Sequence, residues 1–307
     1  AKVKLVMCPR TDFFDLMEVQ TAGSRKRSFC NLSADVDPVT EIASKKTRLC
    51  QWNCEEYSQD IELFHKSTEE TFERRFTWES QPEVNGKMRE ILVDWIVQIH
   101  QSFKLCQESL FLGVRLLDIF SSLTAIKRNE LQLVGITSLM IASKYEDVNA
   151  PTAKQCVYMT AGAHSISEIL AMERSILKNL NFNITVATSY TFLNKQTQKL
   201  NVSELTSKVA FYLAERSLQY GEIQYFPPSK IATASLFLAC KICGEAAQSR
   251  LCASVAGYRL HEIKQCALQV AGCVDRVTVT KSHRRLTAIK EKHSGIHIAV
   301  LGSEIEK

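Results

Sequence analysis

Two stretches of this 307-residue chain carry the same pattern, and that repeat narrows the possible folds more than any other feature. Leu131–Lys144 (LQLVGITSLMIASK) aligns with Pro228–Lys241 (PSKIATASLFLACK) at an offset of 97 residues (228 − 131). Ser138 matches Ser235, Leu139 matches Leu236, Ala142 matches Ala239 and Lys144 matches Lys241, with apolar residues between them. Small residues (Gly135, Ala232, Ala234) are mixed with large ones, which lets neighbouring helices approach closely. A segment apolar on nearly every side belongs at the centre of a bundle. A repeat at this spacing predicts two bundles in tandem, each of about 95 residues.

The rest of the chain reads as helices around those two hubs. Over Tyr57–Phe76, apolar residues at 57, 61 and 64 recur at helical spacing among many charges. In 88–100 (MREILVDWIVQIH), Met88, Ile91, Leu92, Trp95, Ile96 and Ile99 follow the helical template, and Val93 and Val97 widen the apolar face. Such a helix is either central to a bundle or shows apolar surface to a partner. Further helical periods cover 107–121, 129–145, 152–160, 166–180, 188–200, 203–219, 228–243, 248–256, 259–273 and 281–292, broken by clusters such as Asn149-Ala150-Pro151. Strict alternation of apolar and polar residues is missing, so the predicted class is all-α. The expected layout is a flexible tail over 1–55, an N-terminal helix over 56–80, five-helix bundles over 86–185 and 187–295, and a C-terminal tail over 296–307.

Composition excludes several classes. The net charge of +5 has Lys and Arg interleaved with Asp and Glu, unlike the one-sided basic face of nucleic-acid binders. No run of 18 apolar residues suggests a membrane span. The eleven cysteines are irregularly spaced, and the CxxC at Cys240 and Cys243 lies within an apolar run, which suits small core residues in a reducing compartment. No HExxH, GxSxG, Walker or kinase motif is present, and His293 and His297 lack a third ligand, so no metal, cofactor or catalytic residue is expected. Ser24-Arg25-Lys26-Arg27 and Lys45-Lys46-Thr47-Arg48 have the spacing of a bipartite nuclear-import signal, and short basic clusters are also common in solvated tails.

Several long motifs, in order, resemble the cyclin family. MREILVDW (88–95) resembles the opening of its first box, LQLVGITSLMIASKYED (131–147) the hub helix, and AMERSILKNLNFNI (171–184) the last helix. FPPSKIATASLFLACKI (226–242) and LTAIKEKHS (286–294) resemble the second box. EVNGKMREIL, SKYED and YFPPS are most similar to B-type mitotic cyclins, with A-type second. The resemblance implies a tandem cyclin fold and a regulatory subunit, not an enzyme. Such a subunit activates a PSTAIRE-type cyclin-dependent kinase in mitotic control and acts in nucleus and cytoplasm. It further implies that Lys144 and Glu173 grip backbone beside the PSTAIRE helix, and that Tyr145, Leu177, Phe182 and Ile184 line the apolar contact. Tyr57, Asp60 and Ile61 match the YxxDI of the family's N-terminal helix, which lies against the kinase. Arg89 and Asp118 match an internal pair, and Leu133 a core position. Met88, Ile91, Leu92, Trp95 and Gln132 match the docking patch for RxL motifs, with Gln98 where A-type cyclins carry an acid. The alternative is a transcription-factor-type cyclin fold that binds nucleic acid, whose zinc ribbon and strongly basic core are missing here.

Overall fold

The computed structural model describes residues 55–71, 78, 81–279 and 286–293. A 3-10 turn over Glu55–Tyr57 leads into α1 (Ser58–Thr71). The described residues divide within α1, between His65 and Lys66, into a smaller unit and a larger one.

In the larger unit, several helices start where a side chain satisfies an open backbone N–H. Asn85 caps α2 (Gly86–Phe103), its Oδ1 accepting Met88 N–H at 3.0 Å. After α3 (Gln107–Leu123) and α4 (Leu131–Glu146), Thr152 and Ser165 form capping boxes with Gln155 and Glu168. These start α5 (Ala153–Met159) and α6 (Ile166–Asn179). The second set is α7 (Ser189–Lys199), α8 (Glu204–Gln219), α9 (Pro228–Ile242), α10 (Ala246–Val255) and α11 (Leu260–Val279). A 3-10 turn, Gly221–Tyr225, precedes α9, and a short α12 (Ala288–Lys292) follows α11. No strand occurs among the described residues, and the class is all-α.

The repeated segments are the hubs. α4 packs against α2, α3 and α6, while α9 packs against α7, α8, α10 and α11. Close approach is built into the first hub. A Cβ on Gly135 would meet Leu92 Cδ1 at 2.8 Å, and one on Gly113 would meet Leu139 Cα at 3.2 Å. The second hub is fastened from a distance. Glu69 Oε2 accepts Ser229 N–H at 2.7 Å and its Oε1 accepts the Ser229 hydroxyl at 2.8 Å. A carboxylate therefore sits on the N-terminus of α9, where the helix dipole favours it.

A polar seam joins the bundles. Arg89 donates from Nε to Asp118 Oδ1 and from Nη2 to Oδ2, each at 2.7 Å. Its Nη1 reaches the Leu218 and Gln219 carbonyls of α8 at 2.9 and 3.2 Å. Trp78 Nε1 donates to Asp118 Oδ1 at 3.2 Å. Next to this, Asp94 Oδ1 accepts Gln219 Nε2 at 3.0 Å and Ala288 N–H at 3.2 Å. Glu215 is fully buried and holds Lys292 at 2.7 Å and His293 at 3.0 Å. Burial alone would raise its pKa, but the His293 hydrogen bond and the Lys292 charge hold it below the ordinary carboxylate range.

Of the expected N-terminal helix over 56–80, the described part is α1 to Thr71, and Trp78, also described, donates to Asp118. Two later boundaries differ from the sequence expectation. α11 continues six residues beyond 273, to Val279. In the expected 281–292 segment, the helix occupies Ala288–Lys292, where Ala288 N–H ends on Asp94. The basic clusters near the N-terminus and His297 lie outside the described residues.

Gly135→Val should lower stability by about 1–3 kcal/mol through overpacking against Leu92. Urea unfolding followed by far-ultraviolet circular dichroism reads this, and unchanged stability would mean the hub can separate from α2 without cost. Asp94 generates a pH prediction. Burial pushes its pKa up from 3.8 to about 6, so the folded state holds the proton more tightly than the unfolded chain. Its contribution is therefore full below the unfolded value and is lost as pH rises through 6. His100 opposes it: burial pushes that ring down to about 4, so its contribution is gained as pH rises towards 6.5. Asp94→Asn cannot ionise and keeps the Oδ1 acceptor. Its stability should climb between pH 4 and 7 by about 2–3 kcal/mol more than that of the wild type. Parallel pH profiles for the two proteins would contradict the burial assigned to Asp94.

Candidate functional site

Two helices of the first bundle bring opposite charges to one surface. Lys144 lies in the last turn of α4, where a cation suits the helix dipole. Glu173 lies midway along α6, which packs against α4. Lys144 Nζ meets Glu173 Oε1 at 2.5 Å, with side-chain exposures of 47% and 15%. These residues are 29 apart in sequence, so only the packing of the two helices unites them.

Apolar groups surround the pair. Tyr145 is exposed, and its hydroxyl lies 2.8 Å from Thr185 Oγ1, which ties the end of α4 to the chain leaving α6. That chain turns sharply: Asn181 and Phe182 both adopt left-handed backbone, with φ of 50° and 59°. Bulky residues rarely take this conformation, and it persists where surrounding bonds fix it. Here Phe182 N–H donates to the Leu177 carbonyl at 2.8 Å, and Ile184 N–H to the Phe182 carbonyl at 3.2 Å. The result presents the Phe182 ring to solvent, 68% exposed, with Leu177 and Ile184 half-buried beside it.

The structure adds residues that the sequence reading missed. Ile166, Leu170, Glu173 and Leu177 fall at i, i+4, i+7 and i+11 along α6 and share a face, on which Ile166 and Leu170 are exposed. Val148, just beyond α4, is also exposed. The available signal was that α6 has a second apolar stripe besides the buried Ile169 and Ile176. An accessible ion pair ringed by exposed apolar side chains offers both hydrogen-bond donors and acceptors to another protein's backbone.

The second expected surface is narrower than the sequence suggests. Leu92 and Trp95 are 1% and 6% exposed, and Val93 and Val97 are buried, so most of the wide apolar face of α2 serves the bundle centre. Ile91 is 37% exposed, while Met88, Gln98 and Gln132 are half-buried. Gln132 Nε2 is enclosed without a hydrogen-bond partner among the described residues. Leu133 lies in the core. Tyr57, Asp60 and Ile61 belong to the smaller unit, with Tyr57 and Asp60 exposed and Ile61 half-buried.

The repeat partner of Lys144 has a different setting. Lys241 Nζ lies 5.2 Å from the centre of the Phe237 ring on its own helix, and no ion pair holds it among the described residues. Cys240 is buried with its Sγ 3.9 Å from Cys252 Sγ, and Cys243 is half-buried. No His, Cys, Asp and Glu grouping that could hold a metal occurs among the described residues. Among those residues, no helix is long and apolar enough to cross a membrane.

Residues 60–185 match the cyclin N-terminal domain and residues 187–300 the cyclin C-terminal domain. The chain is 35% identical over 248 residues to a G2/mitotic-specific cyclin-B of Patella vulgata, covering 81% of this chain and 60% of that protein's length. It is 30% identical over 240 residues to a G2/mitotic-specific cyclin-2 of Medicago sativa, covering 78% of this chain and 72% of the relative. Its fold matches a viral cyclin from herpesvirus saimiri with a TM-score of 0.64 at 21% identity, over 70% of this chain and 96% of the viral one. With both domains present in order and mitotic cyclins among its relatives, the chain belongs to the cyclin family.

Proposed function

We propose that this chain is a non-catalytic regulatory subunit that binds and activates a PSTAIRE-type cyclin-dependent kinase in G2/M control, in the nucleus and cytoplasm. The observation that carries the proposal is the Lys144–Glu173 pair within its exposed apolar ring. An accessible ion pair contributes about 0–1 kcal/mol to its own fold, so the pair suits contact with a partner better than it serves stability. Once a partner covers it, the same charges become desolvated and their loss is costly. Activation is then a population shift: the subunit binds the active arrangement of the kinase better than the inactive one and stabilises it. Phosphoryl transfer belongs to the partner.

A second surface supports substrate selection. Ile91 and Met88 suit the apolar side chain of an extended RxL-like segment, with Gln132 beside them. Gln98 donates to Asp94 Oδ2 at 3.2 Å and supplies no negative charge for an arginine. Docking at this surface is therefore driven by apolar contact.

Lys144→Ala and Glu173→Ala should each retain wild-type helicity. Each should raise the concentration needed for half-maximal histone-kinase activation at least about 30-fold, matching the loss of one desolvated charged partner. Lys241→Ala should change stability by less than about 1 kcal/mol and leave activation unaltered. Equal losses at Lys144 and Lys241 would refute the assignment of the contact to the first bundle. On α2, Trp95→Ala should destabilise the fold by about 3–5 kcal/mol as a core truncation. Met88→Ala with Ile91→Ala should spare stability and reduce phosphorylation of RxL-bearing substrates. Undiminished substrate selection in that double variant would remove docking from this face.

A further inference from the structure

A cleft of about 330 Å³ opens between α3, the loop leaving α6 and the turn Gly221–Tyr225. Arg115, Asn181, Asn183 and Gln224 are among the residues lining it. Asp118 and Trp78 lie in the same wall, but they are already joined to each other, and Asp118 is matched by Arg89.

Arg115 is the unmatched group. Its Nε is enclosed with no hydrogen-bond partner, and no ion pair reaches it among the described residues. Arg115 is half-buried, and a guanidinium partly shut off from water is ordinarily paired or hydrogen-bonded, because desolvating an unmatched charge is costly. The neighbouring carboxylates have other hydrogen-bond partners: Asp118 is held by Arg89, and Glu69 by Ser229. Burial pulls the Arg115 pKa below the ordinary guanidinium range, and the charges of Asp118 and Glu69 offset part of that effect. With Asp118 matched by Arg89, Arg115 is the cation of the cleft lining. Asn181 and Asn183 are exposed, and neither side chain is committed to a hydrogen bond among the described residues. A forked cation with flanking amides offers more donors than the two oxygens of a carboxylate can use, and suits the three or four oxygens of a phosphate group.

We propose that this cleft is a phosphate-binding site in which the Arg115 guanidinium is the anchoring cation and Asn181 and Asn183 supply further donors. The site does not depend on the kinase-binding reading, since its anchoring residue Arg115 lines the cleft and its test needs no kinase.

Thermal unfolding of the full chain at matched ionic strength tests it. Inorganic phosphate at about tenfold its dissociation constant should raise the midpoint by about 3 °C more in the wild type than in Arg115→Gln. The comparison removes the general stabilisation by excluded salts, which both proteins share. Asn181→Asp changes an exposed residue and places a carboxylate in the cleft wall. It should fold normally and lose at least half of the phosphate increment, which keeps the test decisive if Arg115→Gln is unfolded. Phenyl phosphate as a second probe separates sources: protection equal to that by inorganic phosphate assigns an ester-borne phosphate, and protection by inorganic phosphate alone assigns the free anion. Equal increments in the wild type and the variants would overturn the proposal. So would acetate protecting the wild type as well as phosphate does.

Discussion

The Arg89 fork is the interaction on which the rest of the molecule depends. One guanidinium gives two donors to Asp118 on α3 and a third to the last carbonyls of α8, so three helices from both bundles meet at a single side chain. The end of a helix is where free carbonyls and the negative end of the dipole lie, and a cation aimed there is well placed. Burying such a charge is tolerable because nearly all its hydrogen-bonding capacity is used. A lysine could not replace it, since a single ammonium cannot span a carboxylate and two carbonyls in one plane.

Around that junction, charges that hold the molecule together are buried and hydrogen-bonded, whereas the Lys144–Glu173 pair lies at the surface. Glu215, inside the seam, gathers Lys292, His293 and the Gln107 amide and ties the C-terminal helix to the second bundle. Asp94 anchors the same helix through Ala288 N–H and is half of an opposed pair with His100 across the acid range. Lys144 and Glu173 make a short contact but remain accessible. A contact that must be re-formed with another protein has to be inexpensive to break, and an exposed ion pair meets that condition.

The hubs were legible because a repeat of fourteen residues leaves its trace in the sequence whatever surrounds it. The breadth of the apolar face on α2 was legible too, but not its use. Leu92 and Trp95 look alike as docking or core residues until Gly135 is seen pressing on Leu92. The Arg89–Asp118 pair was accessible through family resemblance, yet its third partner was not, since backbone carbonyls have no sequence signature. Glu69 reads as one acid among several on a solvated helix, and its bonds to Ser229, 160 residues away, exist only in three dimensions. Arg115 gave no signal at all, because a missing partner is a property of surroundings rather than of a motif.

The two hubs show how one architecture acquires unequal surroundings. α4 and α9 share a pattern and end in equivalent lysines, so the difference lies in what the following helices supply. After Lys144, α6 carries Glu173 to the same surface, and a strained turn displays Phe182 beside it. After Lys241, the ammonium lies over Phe237 of its own helix instead, with no carboxylate brought to it among the described residues. Meanwhile α8, the neighbour of the second hub, spends its polar residues on the seam: Glu215 on α12 and Gln219 on Asp94, while its terminal carbonyls receive Arg89. The second bundle is thus organised to fix the first in place, and the first can leave a charged, apolar-rimmed surface uncovered because its own stability is secured elsewhere.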